Sequence, residues 1–147
     1  MEKSQIIARL PYSDPFLFVD DIVHIDENGV EGHYTLMESL AFYKGHFKTN
    51  PVTPGVILTE IMAQIGVVSL GIFLLDKNFT TSAAIALTSM ETEFFKPVFP
   101  NEKVTDFSKK IYFRFGKLKC SVRMVNATGE TVCSGMISGM ITTKPAS

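Results

Sequence analysis

The sequence has no tryptophan and only two cysteines, Cys120 and Cys133. They form no CxxC pair, and two thiols are too few for a disulfide scaffold. They are expected as small core or strand residues in a reducing cytosol. Neither sign of charge is in excess. Fourteen Lys and Arg face fifteen Asp and Glu, for a formal net charge of −1. That excludes the strongly basic footprint of a nucleic-acid binder. Internal repeats, low-complexity tracts and linkers are missing, and the opening MEKSQIIARL lacks the apolar stretch of a signal peptide. A cytoplasmic location is expected. The three histidines include His24 and His33, whose spacing does not suggest a metal site. Hydrophobic residues make up 46% and charged residues 20%, as in a globular chain and unlike a disordered one. With 147 residues, one domain over 1–147 with a real core is the expectation.

What the sequence does have is one long apolar run, GVILTEIMAQIGVVSLGIFLL, from Gly55 to Leu75. It is long enough to cross a bilayer. Glu60 and Gln64 nevertheless sit inside it one helical turn apart, and a carboxylate at membrane depth is costly. The run is therefore read as a buried helix, with no membrane partner. Thr53 is expected as its N-cap and Pro54 at its first helical position. Being apolar on nearly every side, it should be wrapped by other elements.

Those elements read as strands. Phe16–Ile25 and Val30–Leu36 form a hairpin around the Asn28-Gly29 turn. Ser39–His46 is ambiguous between a short helical turn and a loop. Residues 78–82 read as a loop, followed by two strands, Ala83–Ser89 and Glu91–Phe95. Val104–Phe115, Lys119–Asn126 and Thr131–Thr142 complete the set. The fold class is α+β: a strand hairpin, one central helix, then a run of antiparallel strands.

The stretch GHFKTNPVTPGVILTE, residues 45–60, gathers unusual chemistry. Pro54 at a helix start leaves the next amides without intrahelical partners, and Gly55 lets a ligand approach. A helix N-terminus suits an oxygen carrying negative charge. Glu60 lies about 9 Å further along the axis at 1.5 Å per residue. In an apolar surround its pKa rises, so it can hold and release a proton near neutral pH. His46 upstream is a residue type able to act as a base at that pH. Base, acid and oxyanion site together suit removal of a proton α to a carbonyl while a β leaving group is protonated. The bland alternatives are a solvent-facing or cation-paired Glu60 and an ordinary loop histidine.

Three strings go further: LPYSDPFLFVDDI, then FYKGHFKTNPVTPGVILTEIMAQIG, then ETEFFKPVFPNEKV. In their order and spacing they resemble the 3-hydroxyacyl-(acyl carrier protein) dehydratases of bacterial fatty-acid synthesis. GHF followed by PV-x-PGV-x-x-x-E-x-x-AQ is the specific part. The resemblance implies the hot dog fold, an antiparallel sheet wrapped around one long helix. It implies that His46 takes the α proton and that Glu60 protonates or orients the departing β-hydroxyl. It implies that the Gly55 amide holds the thioester carbonyl, with Val56 and Gln64 as further substrate-facing residues; Gln64 is also within reach of Glu60. It implies no cofactor, a carrier-protein-borne substrate, and a homodimer or trimer of dimers in which His46 and Glu60 of one site come from different subunits.

Departures from the family pattern are Lys48 and Thr49 after GHF, Thr53 before the second Pro-Gly, Tyr12-Ser13 after Leu-Pro, and Asn101-Glu102 after Pro100. They suggest a divergent member, serving a dedicated route such as aryl-polyene or flexirubin-type pigment synthesis. Rival readings on the same fold are an acyl thioesterase using Glu60 and a non-catalytic partner of an active dehydratase. Lys44, Lys48, Lys96, Lys103, Lys117 and Lys119 are candidates for a rim that docks an acidic carrier protein.

Overall fold

The computed structural model describes residues 2–75 and 83–143. A short helix α1 (Lys3–Arg9) precedes the hairpin β1 (Asp21–Asp26) and β2 (Gly29–Thr35). A single 3-10 turn, Ala41–Lys44, leads into the long helix α2 (Gly55–Leu75). Four strands follow: β3 (Ala83–Phe94), β4 (Lys103–Arg114), β5 (Lys117–Val125) and β6 (Thr131–Thr143). All belong to one six-stranded antiparallel sheet in the order β1-β2-β4-β5-β6-β3. The sheet wraps α2, as the sequence leads one to expect.

Several expectations shift. The two strands expected over 83–95 are one strand, interrupted only by a register shift between Leu87 and Ser89. The strand expected from Phe16 begins at Asp21, because the Phe16 carbonyl accepts from, and the Phe18 amide donates to, the Gln64 side chain of α2 instead. The loop expected over 78–82 lies outside the described residues. Thr53 is not the N-cap: Pro54 holds that position in an extended conformation, and α2 starts at Gly55. The Thr53 hydroxyl instead meets the Tyr43 phenol at 2.5 Å, and its amide donates to the Val98 carbonyl at 2.8 Å.

Helix α2 is the core. Ile61, Ile65, Leu70 and Ile72 are fully buried against the sheet, each contributing about 1.5–3 kcal/mol by leaving water. Its middle, Gln64–Val68, is a π turn. The Gln64 carbonyl accepts from both the Ser69 amide and the Ser69 hydroxyl, the latter at 2.8 Å. Ser108 of β4 donates its hydroxyl to the Gly66 carbonyl at 2.8 Å. Gly66 is there because a Cβ would stand 2.9 Å from a Val122 methyl. The π turn is thus pinned to the sheet by both hydrogen bonding and close approach.

Cys120 and Cys133 are buried free thiols on β5 and β6. Cys133 Sγ lies 3.8 Å from the sulfurs of Met62 and Met124. Near this apolar cluster β4 turns Asp106 inward. It is fully buried, neither carboxylate oxygen has a partner among the described residues, and burial pushes it well above the usual carboxylate range.

Candidate active site

The opening of α2 offers its first amides. Ile57 and Leu58 donate theirs to the Pro54 carbonyl, while those of Gly55 and Val56 lie ahead of the first intrahelical bond. Gly55 packs against the Phe94 ring, where a Cβ would come within 3.1 Å. Two cavities flank this point. One of about 370 Å³ is lined by Thr53, Gly55, Leu58, Phe94, Phe95 and Lys96. The other, of about 280 Å³, is lined by Val56, Thr59, Glu60, Met90, Thr92 and Phe94.

Glu60 faces the second cavity. Burial raises its carboxyl above the ordinary carboxylate value, and a hydrogen bond from Gln64 partly offsets the rise. That bond runs from Gln64 Nε2 to Glu60 Oε2 at 3.0 Å. The same Nε2 donates to the Phe16 carbonyl at 2.9 Å, and Gln64 Oε1 accepts the Phe18 amide at 2.8 Å. The Phe18 N–H fixes which end of the amide points which way. Gln64 is fully buried and its donors are all used. It stands behind Glu60 as a support. Val56 is exposed and lines the cavity.

His46 sits in the loop before α2, half-buried, its ring stacked on Phe47 at 4.2 Å between centroids. Its Nδ1 lies 2.9 Å from the Val52 carbonyl, and its own carbonyl accepts the Val52 amide at 2.8 Å. A carbonyl only accepts, so Nδ1 carries the proton and Nε2 presents a lone pair. His46 does not line the Glu60 cavity. Within one chain, Val56 and Glu60 line one cavity, Gly55 lines its neighbour, Gln64 braces Glu60, and His46 is in the lining of neither cavity.

The Glu60 cavity is walled by β3, one of the two edge strands of the sheet. Leu87, Met90 and Phe94 on this strand, and Phe95 after it, are exposed apolar side chains. A long apolar edge of this kind is a template for another chain. Two further residues near Glu60 were not legible as site residues. Tyr12 has its phenol pushed up to about 12, by burial first and the Glu60 carboxylate second. The Thr92 hydroxyl is buried in the cavity wall without a partner among the described residues.

A model of the FabA-like domain matches residues 10–137 of the chain. A 3-hydroxyacyl-(acyl-carrier-protein) dehydratase FabZ of Caldicellulosiruptor bescii is 34% identical over 134 residues, covering 89% of this chain and 91% of that protein. The enzyme of the same name from Thermus thermophilus is 31% identical over 139 residues, covering 94% and 95%. Among solved structures, a dehydratase heterocomplex from Xenorhabdus doucetiae superposes with a TM-score of 0.77 at 12% identity, over 99% of this chain and 93% of that one. A mutant thioesterase from Pseudomonas aeruginosa gives 0.69 at 12% identity, over 96% and 94%. These two structural likenesses speak for the hot dog fold alone.

Proposed function

The chain belongs to the FabA-like domain family, and on that footing we infer that it removes water from 3-hydroxyacyl groups carried as thioesters on an acyl carrier protein, giving the trans-2-enoyl thioester. The observation that carries the reading is Glu60: a carboxyl raised by burial, braced by Gln64, facing an otherwise largely apolar cavity beside the opening of a helix.

The reaction then divides among named atoms. His46 Nε2 takes the α proton, and its Nδ1–H to Val52 keeps the ring in the right tautomer. Negative charge moves onto the thioester oxygen, where the Gly55 amide and the positive end of α2 receive it. The Cα–Cβ double bond forms as the Cβ–O bond breaks, and Glu60 gives its proton to the departing oxygen. Water leaves, with Glu60 ionised and His46 protonated. Return of that proton to Glu60 resets the site.

Because His46 does not share the Glu60 cavity within one chain, the site is completed by a second subunit. Two chains pair along their β3 edges, and the partner's loop brings its imidazole to the cavity. The exposed apolar edge supports this. One domain over 1–147, working as a dimer or a trimer of dimers in the cytoplasm, is the form proposed. The carrier protein docks on the β4–β5 hairpin. Lys109, Lys110, Arg114, Lys117 and Lys119 crowd there without an acid, and Phe115 at the tip is 97% exposed. The remaining chain is markedly acidic, so an acidic partner is steered to this end. Lys96, by contrast, is engaged by Glu130 at 2.7 Å. The departures at Tyr12, Lys48, Thr49 and Thr53 favour a dedicated pathway, such as aryl-polyene or flexirubin-type synthesis, over general fatty-acid synthesis.

The test is intact mass of a carrier-bound 3-hydroxyacyl thioester incubated with the protein. Loss of one water is expected, slowed about 10²–10⁴-fold by His46→Ala and by Glu60→Gln. Release of free acid would instead assign a thioesterase. No change with any chain would leave a non-catalytic subunit.

A further inference from the structure

The polar groups of the Glu60 cavity are few. Thr59 lines it, but its hydroxyl donates to the Gly55 carbonyl at 3.0 Å and is occupied. Val56, Met90 and Phe94 are apolar. That leaves the Glu60 carboxyl and the Thr92 hydroxyl. Thr92 lies on β3 opposite Gly135 of β6, with Met90 and Phe94 two residues away on the same face. Its Oγ1 is buried and makes no hydrogen bond among the described residues. A buried hydroxyl without a partner is disfavoured, and valine has the same shape without that cost. A threonine here, sharing a small cavity with the general acid, has a use only when something polar enters.

We propose that Thr92 is a substrate-positioning residue whose hydroxyl hydrogen-bonds the β-oxygen of the 3-hydroxyacyl group beside Glu60. This rests on the dehydratase reading. The β-hydroxyl has one hydrogen to give and lone pairs to offer, so it can take the Glu60 proton while engaged with Thr92. As the Cβ–O bond breaks, the oxygen becomes more basic and the Thr92 O–H stabilises it. The hydroxyl makes and loses no covalent bond. It holds first the alcohol and then the water that forms.

The test compares Thr92→Val with Thr92→Ser. For a 3-hydroxydecanoyl thioester on carrier protein, Thr92→Val lowers kcat/KM about tenfold, mostly in kcat, and Thr92→Ser stays within about twofold of the parent. Thr92→Val melts no lower than the parent, since it removes an unpaired buried group. A second measurement needs no turnover. The parent binds 3-hydroxydecanoyl pantetheine more tightly than decanoyl pantetheine, and Thr92→Val loses that preference. Unchanged kcat/KM and unchanged preference in Thr92→Val would overturn the proposal, as would equal losses in Thr92→Val and Thr92→Ser. A parent that shows the Thr92-dependent preference but never loses water would overturn the dehydratase reading and leave this contact standing.

Discussion

Glu60 Oε2 accepts a hydrogen bond from the Gln64 amide, while Oε1 makes no hydrogen bond among the described residues. As the proposed acid, Glu60 must hold a proton at working pH. Burial raises its value, so the proton persists above the ordinary carboxylate range and is lost as pH rises through the raised value. The profile of kcat/KM against pH should therefore carry a limb set by Glu60 that lies above the ordinary carboxylate range. Gln64 pulls the other way by stabilising the ionised form. Gln64→Leu should move that limb to higher pH. It should also cost roughly 2–4 kcal/mol of stability, because the Phe18 amide and Phe16 carbonyl lose their partner. Denaturant titration and a pH–rate profile on that variant check both.

Asp106 offers a separate residue-scale prediction. In the unfolded chain it titrates near 4, and in the fold its value is well above that. Above pH 4 folding therefore takes up a proton, and stability falls as pH rises until the folded value is passed. Asp106→Leu should flatten that part of the stability curve. At pH 7 it should add about 1–3 kcal/mol, read by urea unfolding at several pH values. The sequence hides this residue. In Val104-Thr105-Asp106-Phe107-Ser108 the apolar Phe107 suggests the inward face, yet Val104, Asp106 and Ser108 point in and Phe107 lies outside beneath the Arg123 guanidinium at 5.1 Å.

Among the elements, α2 was the most legible, because an uninterrupted apolar run that long has few other fates in a chain of this composition. Its start was misplaced by one residue, since the Tyr43 phenol claims the Thr53 hydroxyl that would have capped it. Helix α1 went unread because it is seven residues long and buries only Ile6. Asn101 could be placed in a turn but not explained from sequence. It adopts φ +71°, and its side chain accepts the Glu38 amide at 3.0 Å. The β4–β5 hairpin was seen as strands, while its concentration of cations around Phe115 became meaningful only once the turn was in view. Reversing two of those charges, Arg114→Glu with Lys117→Glu, should raise KM about tenfold for a carrier-bound substrate. The same substrate on pantetheine alone should keep its KM. Steady-state kinetics with both forms decides it, and the carrier-bound KM of the parent should climb with salt.

At the scale of the whole molecule, His46 and Glu60 are legible as chemistry but not as one place. The sequence sets them in one motif, and the folded chain puts only Glu60 in the cavity walled by edge strand β3. On the proposed reading, assembly supplies the rest. Met90→Lys at the β3 edge, 42% exposed in one chain, should weaken chain pairing, lowering mass by light scattering.

The most direct measurement mixes two inactive proteins. His46→Ala and Glu60→Gln are each purified, combined, and allowed to exchange subunits before the dehydration assay. If each site takes its base from one subunit and its acid from the other, mixed dimers carry one intact site, and activity returns to about a quarter of the parent's. If activity stays at the level of the separate variants after exchange is shown to be complete, base and acid do not meet across subunits, and the shared-site account is wrong.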